Sequence, residues 1–265
     1  MENSRLLECL DLDYRRLRYV VPERLGERVP SCPDWTVDDL TWHVGMVYLH
    51  KVTGMREGRE PEQWPPDYDD DASALELIDD AYRQLIGEFA SRDPGEATGT
   101  WYGPDQTVGF WIRRMAQETV IHRIDAELGA GVPVTAVPDD LAIDGIDELL
   151  KVFVAYSVRE EPSSFTQVLV DSPGRTYEIS TDSTADTASV SWRVRSAPGQ
   201  FTVDGGPAEV LSSTDTPNAT ISGTPAAILR WAWNRDTPGD PIEVRVTGDL
   251  EALAEFRAVV AAATQ

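Results

Sequence analysis

The stretch QETVIHRIDAE, Gln117–Glu127, places Glu118 and His122 one helical turn apart, and Asp125 follows three residues later. On an α-helix, residues separated by three or four positions lie on the same face. Continued toward the N-terminus at about 100° per residue, that face holds Val108, Trp111 and Met115. Polar positions that fall elsewhere on the helix are Arg113, Gln117, Arg123 and Glu127. The acid and the imidazole therefore extend an apolar stripe and are predicted to face the interior.

A second helical segment repeats this pattern, because Leu40, His43, Val47 and His50 share one stripe. An unpaired carboxylate in a core costs several kcal/mol, and a buried imidazole leaves a donor or an acceptor unsatisfied. A divalent cation removes both penalties. Two imidazoles and one carboxylate form an open triad of the kind that binds zinc or iron. This predicts a metal site made of His43, Glu118 and His122.

Periodicity alone leaves a structural alternative open for each of these residues. A glutamate and a histidine four positions apart occur on many ordinary helices, and His43 is compatible with a hydrogen-bonded core histidine. His50 lies two turns, about 10.5 Å, beyond His43, so it is not expected to share an ion with it.

The first half of the chain reads as four amphipathic helical segments, at residues 4–21, 36–56, 72–91 and 107–128. Their lengths favour an antiparallel bundle. Thr36 is the predicted N-cap of the second segment, and Gly58 lies just beyond its end. The glycine- and proline-containing stretch GAGVPVTAVPDD, residues 129–140, is typical of a linker. These patterns predict a helical domain at residues 1–132 and a second domain at 138–265.

The second half is predicted to be α+β with an antiparallel sheet. After a helix at about residues 138–156, short alternating runs are typical of strands. These runs are FTQVLVD (165–171), TYEIST (176–181), ASVSWRVR (188–195) and ATISG (219–223). Helices at 224–234 and 249–263 bracket a last strand, IEVRVTG, at 242–248.

Composition excludes several classes of partner. The 265 residues carry a formal net charge of −23, which disfavours nucleic acid and anionic membranes as partners. No apolar run approaches the roughly 18 residues of a membrane span, and the acidic N-terminus does not resemble a signal peptide. A cytoplasmic location is therefore expected. The two cysteines, Cys9 and Cys32, form neither a CxxC motif nor a disulfide framework. No heptad pattern indicates an oligomeric state.

Two motifs give a family resemblance. CPDWTVDDLTWHVG (32–45) and RRMAQETVIHRIDAE (113–127) resemble the two metal-binding segments of the maleylpyruvate isomerase-like, mycothiol-dependent family, within the DinB superfamily. The segments ATISGTPAAILRWAWNR (219–235) and VRVTGDLEALAEF (244–256) are similar to the family's C-terminal domain, which is related to sterol-carrier-like folds. The resemblance implies a DinB-like four-helix bundle followed by a sterol-carrier-like α+β domain.

The resemblance also implies functional roles. His43, Glu118 and His122 match metal ligands, and Arg235 matches an arginine facing the active site, with Arg230 as a competing choice. In the family, zinc or a similar divalent ion binds the thiol of mycothiol, and the thiolate isomerises or conjugates a small electrophile. Asp125 is interpreted as orienting a histidine ligand, or alternatively as a surface or capping acid. Arg114 is expected to pair with Glu118 or Asp125, the alternative being a substrate carboxylate.

Two other functions compete with this interpretation. One is a DinB-type hydrolase in which the metal activates water, and the other is a non-enzymatic protein that binds a small molecule or lipid. Neither cysteine lies on a metal-bearing stripe, and the triad has no recognisable serine or lysine nucleophile beside it. An external thiol or metal-bound water is therefore expected to supply the nucleophile.

Overall fold

A computed structural model describes residues 1–69, 71–169, 172–209, 211, 215–236 and 242–264. The chain divides into two compact units, Met1–Thr135 and Ala136–Gln265. The predicted domain limits, 132 and 138, lie on either side of this division. Within the described ranges, no helix is both long and apolar enough to cross a bilayer.

The first unit is built on long helices. They are α1 (Asn3–Val20), α2 (Val37–Glu57), α3 (Ala74–Ser91) and α4 (Val108–Gly129), and a short hairpin of β1 (Arg28–Val29) and β2 (Cys32–Thr36) precedes α2. Helix α1 packs against α4, and α2 packs against both α3 and α4. The four predicted helices are confirmed within about two residues at their starts. The hairpin was not predicted, because Pro33 interrupts its second strand.

Side-chain caps fix where the helices begin. Thr36 and Asp39 form a reciprocal capping box at the start of α2, and Ser73 and Glu76 form another at the start of α3. Gly58 ends α2 in the left-handed region with φ of 68°, where glycine carries no steric penalty. The Thr36 cap and the role of Gly58 agree with the prediction from the sequence.

Helix α4 is buried on more sides than its periodicity indicated. Gln117, Arg123 and Glu127 were placed off the inward stripe, yet all three are buried. The reason is visible at Arg123, whose Nε donates to Asp13 of α1 at 2.9 Å and whose Nη1 donates to the carbonyl of Thr135 at 2.7 Å. A helix that is covered on this side as well needs buried charges that pair with one another.

The second unit combines helices with one sheet. It contains α5 (Asp139–Glu148), a π-helical turn (Leu149–Ala155), α6 (Tyr156–Glu160), a 3-10 turn (Pro162–Phe165), α7 (Thr166–Leu169), β3 (Arg175–Thr181), β4 (Ser191–Ala197), β5 (Gln200–Gly205), β6 (Ala219–Gly223), α8 (Pro225–Ala232), β7 (Val244–Gly248) and α9 (Leu250–Ala263). The strand order is β5-β4-β3-β6-β7, with every pair antiparallel except β3–β6. The predicted fold class, helices followed by an α+β region with a mostly antiparallel sheet, is confirmed.

Two details of the second unit differ from the prediction. The strand predicted at 165–171 is wrong over 165–169, which is helical, and residues 170 and 171 lie outside the described ranges. Phe165 and Leu169 are both buried and lie one helical turn apart, so the short apolar run has a helical period as well as an alternating one. Strand β5 was not predicted.

The partly buried carboxylate of Glu255 attaches α9 to the sheet. Hydroxyls of Ser172, Tyr177 and Ser196 donate to Glu255 Oε1 at 3.0, 3.0 and 2.6 Å, respectively. Arg175 Nε donates to the second carboxylate oxygen at 3.2 Å. Because both oxygens are engaged by neighbours, this network is structural in character.

Candidate metal centre

The three predicted metal ligands converge. His43 lies on α2 and Glu118 and His122 lie on α4, and one potential ligand atom from each falls within 4.8 Å of the other two. Glu118 Oε1 lies 3.6 Å from His43 Nε2 and 3.1 Å from His122 Nε2. We refer to these residues as the ligand trio. Among the residues that the structure describes, no other three His, Cys, Asp or Glu side chains bring their ligand atoms this close together.

The spacing of the trio suits a small divalent cation. Donor atoms bound to zinc at about 2.0–2.1 Å in tetrahedral geometry lie roughly 3.4 Å apart. The two measured separations, 3.6 and 3.1 Å, bracket that value. All three ligand atoms lie within 4.8 Å of one another, so the widest pair exceeds the tetrahedral separation by at most about 1.4 Å. Two imidazole nitrogens and one carboxylate oxygen fit zinc or a similar ion.

Asp125 holds one imidazole in the orientation that a metal ligand needs. Its Oδ2 lies 3.0 Å from His122 Nδ1, and the Ser31 hydroxyl donates to its other oxygen. A carboxylate at Nδ1 keeps a proton on that nitrogen, so that in neutral His122 the lone pair is the one on Nε2, directed toward the trio. Asp125 is fully buried, so the surface-acid alternative does not describe its position.

Arg114 binds one oxygen of Glu118 and leaves the other facing the histidines. Its Nη2 donates to Glu118 Oε2 at 2.8 Å, while Oε1 is the oxygen that faces His43 and His122. Arg114 is almost fully buried, and its pairing with Glu118 is the structural pairing expected from the sequence. The guanidinium thus fixes the carboxylate with one oxygen turned toward the two histidines.

The neighbouring charges shift the pKa values of two members of the trio in opposite directions. Burial opposes charge on His122, but the charge of Glu118 and the hydrogen bonds that the imidazole donates to Asp125 and Glu118 raise the pKa of His122 to about 9. Burial also opposes charge on Glu118, yet His122, His43 and Arg114 hold the pKa of that carboxyl well below its ordinary value. In the metal-free protein, a proton on His122 therefore supplies the positive charge that the carboxylates attract.

Aromatic rings surround the most exposed ligand. The ring of His43 lies 4.7 Å from Trp35 and 5.9 Å from Trp64. Trp35 lies on β2 and packs on the imidazole. Trp64 gave no signal in the sequence, because the segment between α2 and α3 has no regular hydrophobic period.

Other residues singled out from the sequence lie outside the trio. His50 is buried and its Nε2 lies 3.2 Å from the carbonyl of Pro61, consistent with the prediction that it would not share an ion with His43. Trp101 and Tyr102, which precede α4, both pack on Phe110 of α4, with ring centroids 5.5 Å away in each case.

The predicted arginine Arg235 lies just beyond the end of α8 in the second unit. Its Nη1 donates to the carbonyl of Trp233 at 2.5 Å, and Arg230 Nη2 donates to the carbonyl of Arg235 at 3.1 Å. Both the predicted residue and its alternative are therefore tied to the C-terminal end of one helix. Their role toward a substrate stays a prediction.

Family models match both halves of the chain. Residues 10–127 match the mycothiol maleylpyruvate isomerase N-terminal domain, and residues 140–255 match the C-terminal domain of the same family. A search of curated proteins found no match.

Two solved structures of similar fold are mycothiol-dependent maleylpyruvate isomerases. The chain is similar to the mycothiol-dependent maleylpyruvate isomerase, with 17% identity over 94% of this chain and 95% of that one and a TM-score of 0.56. A histidine-to-alanine mutant of a mycothiol-dependent maleylpyruvate isomerase aligns with 16% identity, the same coverage and the same TM-score. A third structure, UbiJ-SCP2 ubiquinone synthesis protein, covers 49% of this chain and 97% of that one, with 18% identity and a TM-score of 0.29, which is too low to support a conclusion.

Proposed function

The chain belongs to the mycothiol maleylpyruvate isomerase family, and from this premise we propose that it is a metal-dependent, mycothiol-dependent enzyme. Its substrate would be a small electrophile, which it isomerises or conjugates with the thiol. The single observation that carries the proposal is the convergence of His43, Glu118 and His122 on one point inside the helical unit.

The ligand trio fits a divalent ion by its chemistry as well as by its spacing. His43 and His122 would bind through Nε2 and Glu118 through Oε1, which are the atoms that face one another. Zinc is the simplest occupant of two nitrogens and one oxygen, although iron accepts a similar set. Three protein ligands leave at least one position open for an exogenous ligand.

The charges of the neighbouring residues favour an anionic exogenous ligand. With neutral imidazoles, the carboxylates of Glu118 and Asp125 and the guanidinium of Arg114 together carry one net negative charge. A divalent ion reverses this to one net positive charge, which a single thiolate neutralises. A buried site with balanced charge avoids most of the penalty of an unpaired ion.

A bound divalent ion lowers the pKa of a thiol, so that a thiolate, which adds reversibly to an activated double bond, is available near neutral pH. The protein's own residues prepare the site for this chemistry. Asp125 holds the proton of His122 on Nδ1, and Arg114 holds Glu118 Oε2 away from the histidines. Both contacts hold the metal-binding side chains in place before the ion or the thiol binds. Binding therefore requires less reorganisation of the protein.

The protein's own thiols are not part of the ligand trio. Cys9 is buried in α1 and Cys32 lies on β2, and neither forms a disulfide. An external thiol is therefore the nucleophile that this proposal requires. Arg235 is kept as a proposed catalytic residue, as its match to the family pattern implies.

The first experiment measures metal content and turnover together. The purified protein is analysed for metals, then stripped with a chelator and reloaded with zinc. Maleylpyruvate and related unsaturated acids are supplied with mycothiol, and isomerisation and conjugation are followed separately. We expect about one ion per chain, turnover only when both metal and mycothiol are present, and loss of both metal and turnover in His122→Ala.

Each remaining outcome rejects part of the proposal. Full activity without any thiol, abolished by the chelator, would replace the thiol by metal-activated water. Turnover that survives complete removal of metal would reject the metal centre. A protein that binds apolar ligands, holds no metal and turns over none of these acids would favour the binding-protein alternative.

A further inference from the structure

Trp64 is an exposed indole held against a proposed metal ligand. Half of its surface, 52%, is accessible, and its ring lies 5.9 Å from His43 and 5.6 Å from His50 in edge-on arrangements. A single exposed aromatic residue is ordinary on a protein surface. The position of Trp64 matters because the residues just before it, 59–61, are held by neighbouring parts of the chain, including the helix that carries His43.

Polar side chains of α2 hold the residues that precede Trp64. His50 Nε2 lies 3.2 Å from the carbonyl of Pro61, and Lys51 Nζ donates to Glu60 Oε1 at 2.9 Å. Lys51 also lies 3.0 Å from His50 Nδ1. An ammonium has no lone pair, so His50 Nδ1 is the acceptor and its proton sits on Nε2, where it is donated to Pro61. The two side chains therefore act together on consecutive residues of the segment.

A second contact holds the same segment from the other side. A Cβ on Gly99 would lie 2.2 Å from Arg59 Cα, so the two backbones touch directly. Gly99 is fixed in turn by Trp111, whose Nε1 donates to its carbonyl at 3.0 Å. The residues preceding Trp64 are thus held between α2 and the backbone before α4.

The accessible side of the ligand trio lies at His43. Its side chain is 26% exposed, against 16% for Glu118 and 11% for His122. Trp35 and Trp64 both pack on the His43 ring. A thiol whose sulfur is bound at the trio must keep its remaining atoms outside the trio, on the accessible side and beside these two indoles.

We propose that Trp64, together with Trp35, forms an aromatic rim that binds the sugar-based carrier of the thiol cosubstrate and so selects it over smaller thiols. This inference rests on the proposed function. The flat, largely apolar face of an indole packs well on the C–H face of a sugar ring, while ring hydroxyls stay in water. The clamp on the segment places the indole in advance, which lowers the entropy lost when the ligand binds.

The test compares two thiols on zinc-loaded protein. Calorimetry measures the Kd of mycothiol and of N-acetylcysteine, which keeps the thiol and lacks the sugar carrier, for the wild type and for Trp64→Ala and Trp64→Phe. We expect Trp64→Ala to weaken mycothiol roughly tenfold and Trp64→Phe to weaken it less, because part of the aromatic area remains. The Kd of N-acetylcysteine and of zinc should stay unchanged.

Tyr19→Ala is the matched control, because Tyr19 is an exposed aromatic residue on α1, 79% accessible, with no part in the site. Equal weakening of both thiols by Trp64→Ala, or no weakening of mycothiol, would overturn the proposed rim. A change in zinc affinity would assign Trp64 to the metal centre instead. Failure of the wild type to bind any thiol would reject the proposed function itself, which is a separate result.

Discussion

Helix α4 carries two buried charged clusters that differ in how their charges are balanced. One is the ligand trio with Asp125 and Arg114. The other, here termed the Arg123 cluster, consists of Arg123, Asp13, Glu127, Arg16 and Thr135. Both draw residues from the stretch 122–127 of α4, and both replace apolar packing by ionic contacts.

The Arg123 cluster closes on itself. Arg123 donates to Asp13 and Glu127 at 2.9 and 2.8 Å, and Arg16 donates to the second oxygen of Glu127 at 2.6 Å. Two guanidiniums thus balance two carboxylates. The trio instead turns three lone-pair donors toward one point, with a guanidinium only on the far oxygen of Glu118. Burying charged groups costs free energy in both clusters. What distinguishes a binding site from a structural network is that several lone pairs of the trio point to one position without a cation between them.

The largest expected effect comes from removing a ligand of the trio. We expect His122→Ala to weaken zinc binding by far more than the roughly 10–100-fold typical of a residue that supports a ligand, and to abolish turnover. Binding is measured by competition with a chromophoric chelator. Thermal unfolding of the metal-free variant should remain cooperative, since the Arg123 cluster is intact. Zinc affinity within a fewfold of the wild type would show that His122 is not a ligand.

The opposite pattern is expected at the Arg123 cluster. Arg123→Met leaves Asp13 and Glu127 buried without their shared cation, which typically costs about 3–5 kcal/mol of unfolding free energy. Urea denaturation of the metal-free protein measures this loss. Protein that remains folded should bind zinc with nearly unchanged affinity. A variant as stable as the wild type would show that the cluster is not what holds α1 to α4.

The sequence predicted much of this comparison but not all of it. Three-and-four spacing placed Glu118, His122 and Asp125 on an inward stripe, and the second stripe added His43. Those inferences needed only local geometry. The burial of Arg123 and Glu127 was not predicted, because it depends on α1 and on Thr135, and a helical wheel contains no information about what covers each face.

The errors elsewhere have similar causes. Residues 165–169 form helix because Phe165 and Leu169 share a buried side, whereas five residues are too few to separate the two periods. Trp64 was missed because its position depends on contacts that the residues before it make with other parts of the chain. Glu60 accepts from Lys51, and Arg59 touches Gly99, and neither contact leaves a periodic pattern in the sequence.

The zinc affinity of the ligand trio is expected to depend on pH. The pKa of His122 is raised to about 9, so in the metal-free protein its proton contributes stability that is complete below pH 6.5 and is lost as the pH rises through 9. Zinc must displace that proton. Zinc affinity should therefore increase about tenfold per pH unit between roughly pH 7 and 9, corrected for protonation of the competing chelator. An affinity that is flat over this range would contradict a protonated His122.

A smaller effect is expected at the residue that supports His122. Asp125→Asn keeps a hydrogen-bond acceptor for Nδ1 but removes the negative charge, and we expect zinc binding to weaken about 10–100-fold. Ser31→Ala, which removes the hydroxyl that donates to Asp125, should have a lesser effect in the same direction. An Asp125→Asn variant with unchanged zinc affinity would make Asp125 a purely structural acid.

The smallest effect is expected where the sequence offers a thiol of its own. Cys32 lies on β2, next to the helix that carries His43, but it is not part of the ligand trio. If an external thiol is the nucleophile, Cys32→Ser should keep turnover with mycothiol within about twofold of the wild type, since a half-buried surface-strand substitution typically changes little. Initial rates at saturating mycothiol measure this. Loss of turnover with zinc content unchanged would make Cys32 a participant in the reaction, and the external thiol would then no longer be required as the nucleophile.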